Sequence, residues 1–166
     1  NTTPPNAVIG APPLLTCTST SVPLNGSGST PAGNLSYSWT TTDGNIASGQ
    51  TSSTANVTEP GQYTLIVTNN ANGCTDDAVV TVSQDNSVPT ANASVSGGLD
   101  CNTTQLTISG AGSSTGANFS FQWTASNGGV FVSGQNTLNP IVSAAGTYTL
   151  LVTNTLNNCT ASATTV

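Results

Sequence analysis

The side chains of this sequence that could do chemistry are few: four cysteines and six carboxylates, with no Lys, Arg or His beside them. Nucleophilic catalysis needs a base next to the nucleophile, and acid–base catalysis needs two groups that can work together. Asp76 and Asp77 are the one adjacent pair of carboxylates, and neighbours on a strand point to opposite faces, so they cannot cooperate. The expectation is a protein that is not an enzyme and holds no catalytic residues or cofactor. What remains for Cys17, Cys74, Cys101 and Cys159 is disulfide formation, which implies an oxidising, extracellular setting. What remains for the carboxylates is calcium ligation, with Asp76, Asp77 and the linker residue Asp85 as weak candidates. The alternative for all three is solvated surface charge, because Ala161-Ser162 stand where a second Asp pair would be needed.

That comparison is possible because the chain is written twice. Gly61-Gln-Tyr63-Thr-Leu65-Ile-Val67-Thr-Asn69 returns as Gly146-Thr-Tyr148-Thr-Leu150-Leu-Val152-Thr-Asn154. Trp39 and Trp123 are 84 residues apart, as are Cys17 and Cys101, while Tyr63 to Tyr148 and Cys74 to Cys159 are each 85. Pro5 and Ala7 map onto Pro89 and Ala91. The expected organisation is two tandem modules, 1–86 and 87–166, joined by Asp85-Asn-Ser-Val-Pro89. Val166 maps onto Thr81, so the last strand of the second copy is read as cut short. With no initiator Met and no signal peptide, the chain is read as a two-repeat segment of something longer.

Composition narrows the partners. A net charge of −6 without a single cation leaves nothing to displace counterions from a phosphate backbone or to meet an anionic membrane, so nucleic acid is excluded as a partner. No apolar run approaches ~18 residues, so no membrane insertion is expected. Hydrophobic residues make up 35% of the chain and fall with period 2, enough for two modest cores. The absence of Lys also rules out a Lys–Asn isopeptide staple, whereas nothing marks a Thr–Gln ester.

The elements that position these groups read as short strands. Asn6 to Ile9 is extended, Pro12-Pro13 interrupts it, and Leu14 to Cys17 resumes it, a pattern for a sheet edge. Val22 and Leu24 mark a second strand. Leu35, Tyr37 and Trp39 alternate with serines, matched by Phe119, Phe121 and Trp123. Asp43-Gly44-Asn45 and Asn127-Gly128-Gly129 are turns. Ala55 to Thr58 is a short strand, and the Gly-x-Tyr strand returns through an Asn/Gly hairpin into Ala78 to Val82. About seven strands per copy, with no helical periodicity, predict an all-β fold of two β-sandwiches.

Leu-Thr-Cys, Tyr-Ser-Trp or Phe-Gln-Trp, Gly-x-Tyr-Thr-Leu-x-Val-Thr-Asn and Asn-Gly-Cys together resemble Ig-like/PKD-like repeats of large secreted surface adhesins of Bacteroidota-type bacteria, including gliding-motility adhesins. The resemblance covers nearly the whole chain, twice. It implies secretion, a cell-surface or extracellular location, attachment through a region outside this segment and long tandem arrays. The function expected from it is a structural stalk or spacer that holds a distal region away from the cell. The partners are neighbouring repeats of the same or an identical chain, and surface glycans or other cells would be met through other regions. Two alternatives stand beside it: a self-assembling extracellular filament subunit, and a carbohydrate-binding module of a secreted hydrolase. The second would need a cluster of exposed aromatics.

Cys74 lies eleven residues after Tyr63, not the two of an antibody domain, so the cysteines are not the core-spanning immunoglobulin pair. In a sandwich, Cys17 and Cys74 belong at opposite poles, ~20–25 Å apart for strands of six to eight residues. A disulfide needs Cα atoms within ~7 Å. The favoured pairing is therefore Cys17–Cys159 between repeats, with Cys74 and Cys101 awaiting further repeats. Cys17–Cys74 with Cys101–Cys159 is the runner-up, and free thiols come third. Tyr63 and Tyr148 are expected to bond a nearby backbone group from the core, and Trp39 and Trp123 to pack in it rather than to stack on sugars. Phe131 is the best candidate for an exposed aromatic. Asn-x-Ser/Thr sequons at Asn1, Asn25, Asn34, Asn56, Asn92, Asn102, Asn118 and Asn158 could carry glycans.

Overall fold

A computed structural model of the chain describes residues 3–166. It divides into two compact units, Asn1–Asn86 and Ser87–Val166, and all its regular elements among the described residues are strands. The first unit holds β1 (Leu15–Thr16), β2 (Val22–Asn25), β3 (Leu35–Thr41), β4 (Ile46–Ser48), β5 (Thr54–Val57), β6 (Gly61–Asn69), β7 (Thr75–Val82) and β8 (Gln84–Asp85). One sheet runs β2-β5-β4 and the other β3-β6-β7, all antiparallel, while β1 and β8 pair in parallel.

Period-2 patterning decides which side of each sheet faces in. Val22, Leu24, Ala55 and Val57 from the first sheet meet Trp39, Tyr63, Leu65, Val67 and Val82 from the second. Their outward neighbours are mostly Ser, Thr and Asn, so a single slip of register would turn every apolar side chain into water. The Trp39 ring is closed over and its indole Nε1 donates to the Ser52 carbonyl at 2.9 Å, so its one polar atom is satisfied inside the core.

The second unit holds β9 (Ser94–Val95), β10 (Leu106–Ser109), β11 (Phe119–Ser126), β12 (Phe131–Ser133), β13 (Ile141–Val142), β14 (Thr147–Asn154) and β15 (Thr160–Thr165). Its sheets run β12-β13-β10-β9 and β11-β14-β15. Ile108 and Val142 face Trp123, Tyr148, Leu150 and Val152 in a core of its own. The fold is thus all-β, two tandem β-sandwiches. Equivalent hydrogen bonds recur: Trp39 N and Trp123 N donate to the Gln50 and Gln135 carbonyls, both at 2.8 Å. Trp123 Nε1 donates to Thr137 O at 3.0 Å, as Trp39 does to Ser52.

Three details differ from the sequence reading. Asn6 to Ile9 is not a strand; it makes one bridge, Asn6 with Thr30, and is otherwise tied down by side chains. The return strand β7 starts at Thr75, not Ala78, because Asp76 and Asp77 still pair with Val67 and Ile66. And β9 has no counterpart in the first unit. Ser94 and Val95 pair with Ser109 and Ile108, whereas the equivalent Gly10-Ala11 make only the Gly10 N to Asn25 O bond before Pro12-Pro13 remove the next donors.

Candidate functional site

Cys17, Cys74 and Cys159 each stand next to the end of a strand, Cys101 lies in the loop between β9 and β10, and chain order tells which end each one marks. Cys17 follows β1 directly, and β1 pairs with β8 through Leu15 with Gln84 and Thr16 with Asp85. The exposed Cys17 therefore lies at the outgoing pole of the first unit, beside the residues that lead to the linker. Cys74 precedes β7, whose eight residues end at Val82. At ~3.3 Å per residue that strand alone puts about 25 Å between the two ends. In the second unit Cys159 precedes β15, in a hairpin where Asn157 Nδ2 donates to the Ser87 carbonyl at 3.1 Å. Ser87 opens this unit, so the buried Cys159 marks its incoming pole. Cys101, an exposed free thiol, follows the Leu99–Asp100 segment, which sits with Thr165 and Val166 at the far end of β15. The chain carries a disulfide.

The three calcium candidates do not act as one group. Asp76 Oδ2 accepts from Ala7 N at 2.8 Å and so anchors the opening segment. Asp77, next along β7, is exposed on the other face, and Asp85 lies in β8. Among the described residues no three His, Cys, Asp or Glu side chains gather closely enough to hold a metal ion. Asp43 Oδ1 accepts Gln62 N at 2.9 Å and pins the turn after β3 to the start of β6. Asp100 Oδ1 accepts Thr103 N at 2.6 Å and Asn102 N at 2.8 Å, and these bonds lower its pKa below the ordinary carboxylate value.

Tyr63 and Tyr148 perform one repeated structural task. The Tyr63 hydroxyl donates to Glu59 O at 2.7 Å and accepts from Asn45 N at 3.0 Å. The Tyr148 hydroxyl donates to Ala144 O at 2.6 Å and accepts from Val130 N at 2.9 Å. In each case a buried ring carries its polar tip to the turn before its own strand and to a turn of the facing layer. Tyr63→Phe is expected to cost the first unit about 1–2 kcal/mol in urea denaturation, since both partners lose their bond. Burial, ahead of the nearby carboxylates Glu59 and Asp43, raises the Tyr63 phenol above its ordinary value. A raised folded value means that the stability this group contributes is complete below about pH 10 and is lost as pH rises through the folded pKa. Tyr63→Phe should remove that alkaline loss.

Phe131 corrects an expectation: it is not an exposed aromatic. Its ring stands edge-on to Tyr148, centroids 5.2 Å apart at 72°, and packs on the second core, as Ile46 does on the first. Trp39 and Trp123 are fully enclosed. Among the described residues no Trp, Tyr or Phe is exposed. The sequon asparagines 25, 34, 56, 92, 102, 118 and 158 are all exposed, and Asn1 lies outside the described residues.

Residues 2–83 match the family model of the PKD domain, so the first unit is a PKD/Ig-like domain. Among solved structures the chain is similar to the three N-terminal domains of the Highly Immunogenic Outer Capsid protein (Hoc) of bacteriophage RB49. Identity there is 17%, 97% of this chain and 58% of that one are covered, and the TM-score is 0.48. It is similar to carbohydrate-binding modules from the β-sandwich superfamily, with 17% identity, 91% and 55% covered and a TM-score of 0.37. It is also similar to a C-terminal fragment of intimin in complex with the intimin-binding domain of its translocated receptor, with 16% identity, 96% and 64% covered and a TM-score of 0.42. The chain thus spans less than two thirds of each of these structures. No curated protein matches the chain.

Proposed function

We propose that the chain is a stalk segment of an extracellular surface adhesin or fibre of the Bacteroidota type, and that it works by bridging distance. The observation that carries this reading is the placement of the cysteines. In each unit they lie at opposite ends of the strand frame, and Cys17 and Cys159 lie at the two poles flanking the linker. The match to the PKD domain and the presence of a disulfide support the extracellular setting. The buried aromatics give a carbohydrate-binding alternative no stacking platform.

On this reading the linker is stapled. Cys17 bonds Cys159, closing the loop that contains most of the first core and all of the second, and load passes from repeat to repeat through a covalent bond as well as through the backbone. Pairing within a unit would have to span β7 or β15, which a disulfide cannot do. Because the chain has no Lys or Arg, trypsin has no cleavage site, and the map is made with pepsin. Non-reducing peptic mapping of the secreted protein is expected to yield a peptide joining Cys17 to Cys159. A peptide joining Cys17 to Cys74, or Cys101 to Cys159, would overturn the staple.

A further inference from the structure

The chain holds three Asn-Gly steps, Asn25-Gly26, Asn72-Gly73 and Asn127-Gly128. At such a step the glycine nitrogen can attack the asparagine side-chain carbonyl carbon, because no Cβ shields it and the backbone turns freely. Two of the three are held shut. Gly26 is buried against Trp39 and Leu65, its nitrogen donates to Ser53 O at 2.8 Å, and Asn25 Oδ1 accepts Ser27 N at 2.9 Å. Gly73 N donates to Asn69 O at 2.8 Å. Both ends of the Asn72 amide are occupied as well: Oδ1 accepts Cys74 N and Nδ2 donates to Thr3 O, each at 2.9 Å.

Asn127-Gly128 is different. Both residues are exposed in the turn between β11 and β12, and Asn127 Nδ2 makes one exposed bond, to Thr147 Oγ1 at 3.0 Å. Among the described residues neither Asn127 Oδ1 nor Gly128 N has a partner. The first unit shows what is missing. At its equivalent turn Gly44 N donates to Thr41 Oγ1 at 3.0 Å, and Asp43 Oδ1 accepts Gln62 N at 2.9 Å. Thr41 pairs with Tyr63 as Ala125 pairs with Tyr148, so the second unit has a methyl where the first has the hydroxyl that occupies the glycine nitrogen. The exposed turn is closed by Gly129 N to Ser126 O at 3.1 Å, so the Asn127–Gly128 peptide can rotate into the attack without unpacking the core.

We propose that Asn127 is a self-modification site. Gly128 N attacks Asn127 Cγ, a C–N bond forms, the Cγ–Nδ2 bond breaks, and the glycine proton leaves with the side-chain nitrogen as ammonia. Water then opens the succinimide at either carbonyl, giving aspartate or isoaspartate. Each product adds one negative charge to a net charge of −6. The aspartyl product gives the second turn the Asp-Gly that Asp43-Gly44 gives the first. The isoaspartyl product lengthens the main chain by one methylene in the turn that brings Val130 N to the Tyr148 hydroxyl, and so loosens the second unit. The site is built within the second unit alone and stands whether or not the chain is a stalk.

The test incubates the full chain at mildly alkaline pH, which favours attack by the deprotonated amide, and follows peptic peptides by mass spectrometry for loss of each asparagine amide. Asn127 is expected to convert about tenfold or more faster than Asn25 and Asn72, whose reaction must first break hydrogen bonds. In concentrated urea the three rates should converge, since the fold no longer separates them. Ala125→Thr, which returns the hydroxyl, is expected to slow conversion of Asn127 about tenfold while the chain keeps its native NMR spectrum. Equal rates at the three sites of the folded chain would overturn the proposal. So would a lead of Asn127 that persists in urea, because flanking sequence and not the turn would then set it, or a folded Ala125→Thr chain that converts as fast as the parent.

Discussion

Trp39→Ala is expected to remove most of the stability of the first unit and to leave the second folded. The Trp39 side chain is fully enclosed between the two sheets, against Leu65 in the neighbouring strand and the backbone of Gly26. Gly26 has no room for a side chain: a Cβ there would stand 3.2 Å from the Trp39 ring and 2.5 Å from Leu65 Cδ2. Removing the indole leaves a cavity that this fitted frame cannot close, and it orphans the Ser52 carbonyl. Truncation of a buried Trp costs about 3–5 kcal/mol, against a total of about 4–13 kcal/mol for a domain of this size. The cores are separate clusters, so calorimetry should show one transition lowered by about 4–8 °C for each kcal/mol lost and the other in place. Trp123→Ala should move the other transition. Equal displacement of both transitions by either substitution would contradict two independent cores.

The sequence made this core readable because its information is local and written twice. Trp39 and Tyr63 sit on strands whose alternation survives from end to end, and each has a counterpart at the same step in the second copy. Phe131 was misjudged for a definite reason. The register shifts between Phe131 and Ser133, and likewise between Ile46 and Ser48, so a bulge breaks the period-2 count where the side chain turns inward. The task of Asp76 was equally hidden. Its partner, the Ala7 amide, lies 69 residues away and belongs to an irregular segment with no pattern of its own. The absence of a strand before Pro12-Pro13 has a sequence signal, two missing donors, which the extended pattern of Asn6 to Ile9 obscured.

Gly146→Ala is expected to be the costliest single-methyl change in the second unit, about 3 kcal/mol by urea denaturation. The Gly-x-Tyr motif invites an explanation from backbone freedom, but Gly146 is not among the residues with positive φ. What it lacks is space. A Cβ on Gly146 would meet the Gly129 backbone nitrogen, its Cα at 2.5 Å and the Ser126 carbonyl at 2.8 Å. All three belong to the turn between β11 and β12, whose geometry is fixed by Asn127 at φ 53° and Gly128 at φ 92°. None is the free end of a side chain, so relief requires the turn to move. Moving it displaces Val130 N from the Tyr148 hydroxyl and shifts Phe131 off the Tyr148 ring, so one methyl disturbs the hydrogen bond and the ring contact together. Gly116→Ala supplies the comparison. Gly116 has φ 124° and open space around its would-be Cβ, so it carries backbone strain alone, about 1 kcal/mol. If Gly146→Ala costs no more than Gly116→Ala, close approach is not what this glycine provides. If the cost is the larger one expected, the second Gly-x-Tyr is a packing device, in which Gly146 lets the turn come near enough for Tyr148 to hold it, whereas Gly61 in the first copy also has φ 156°.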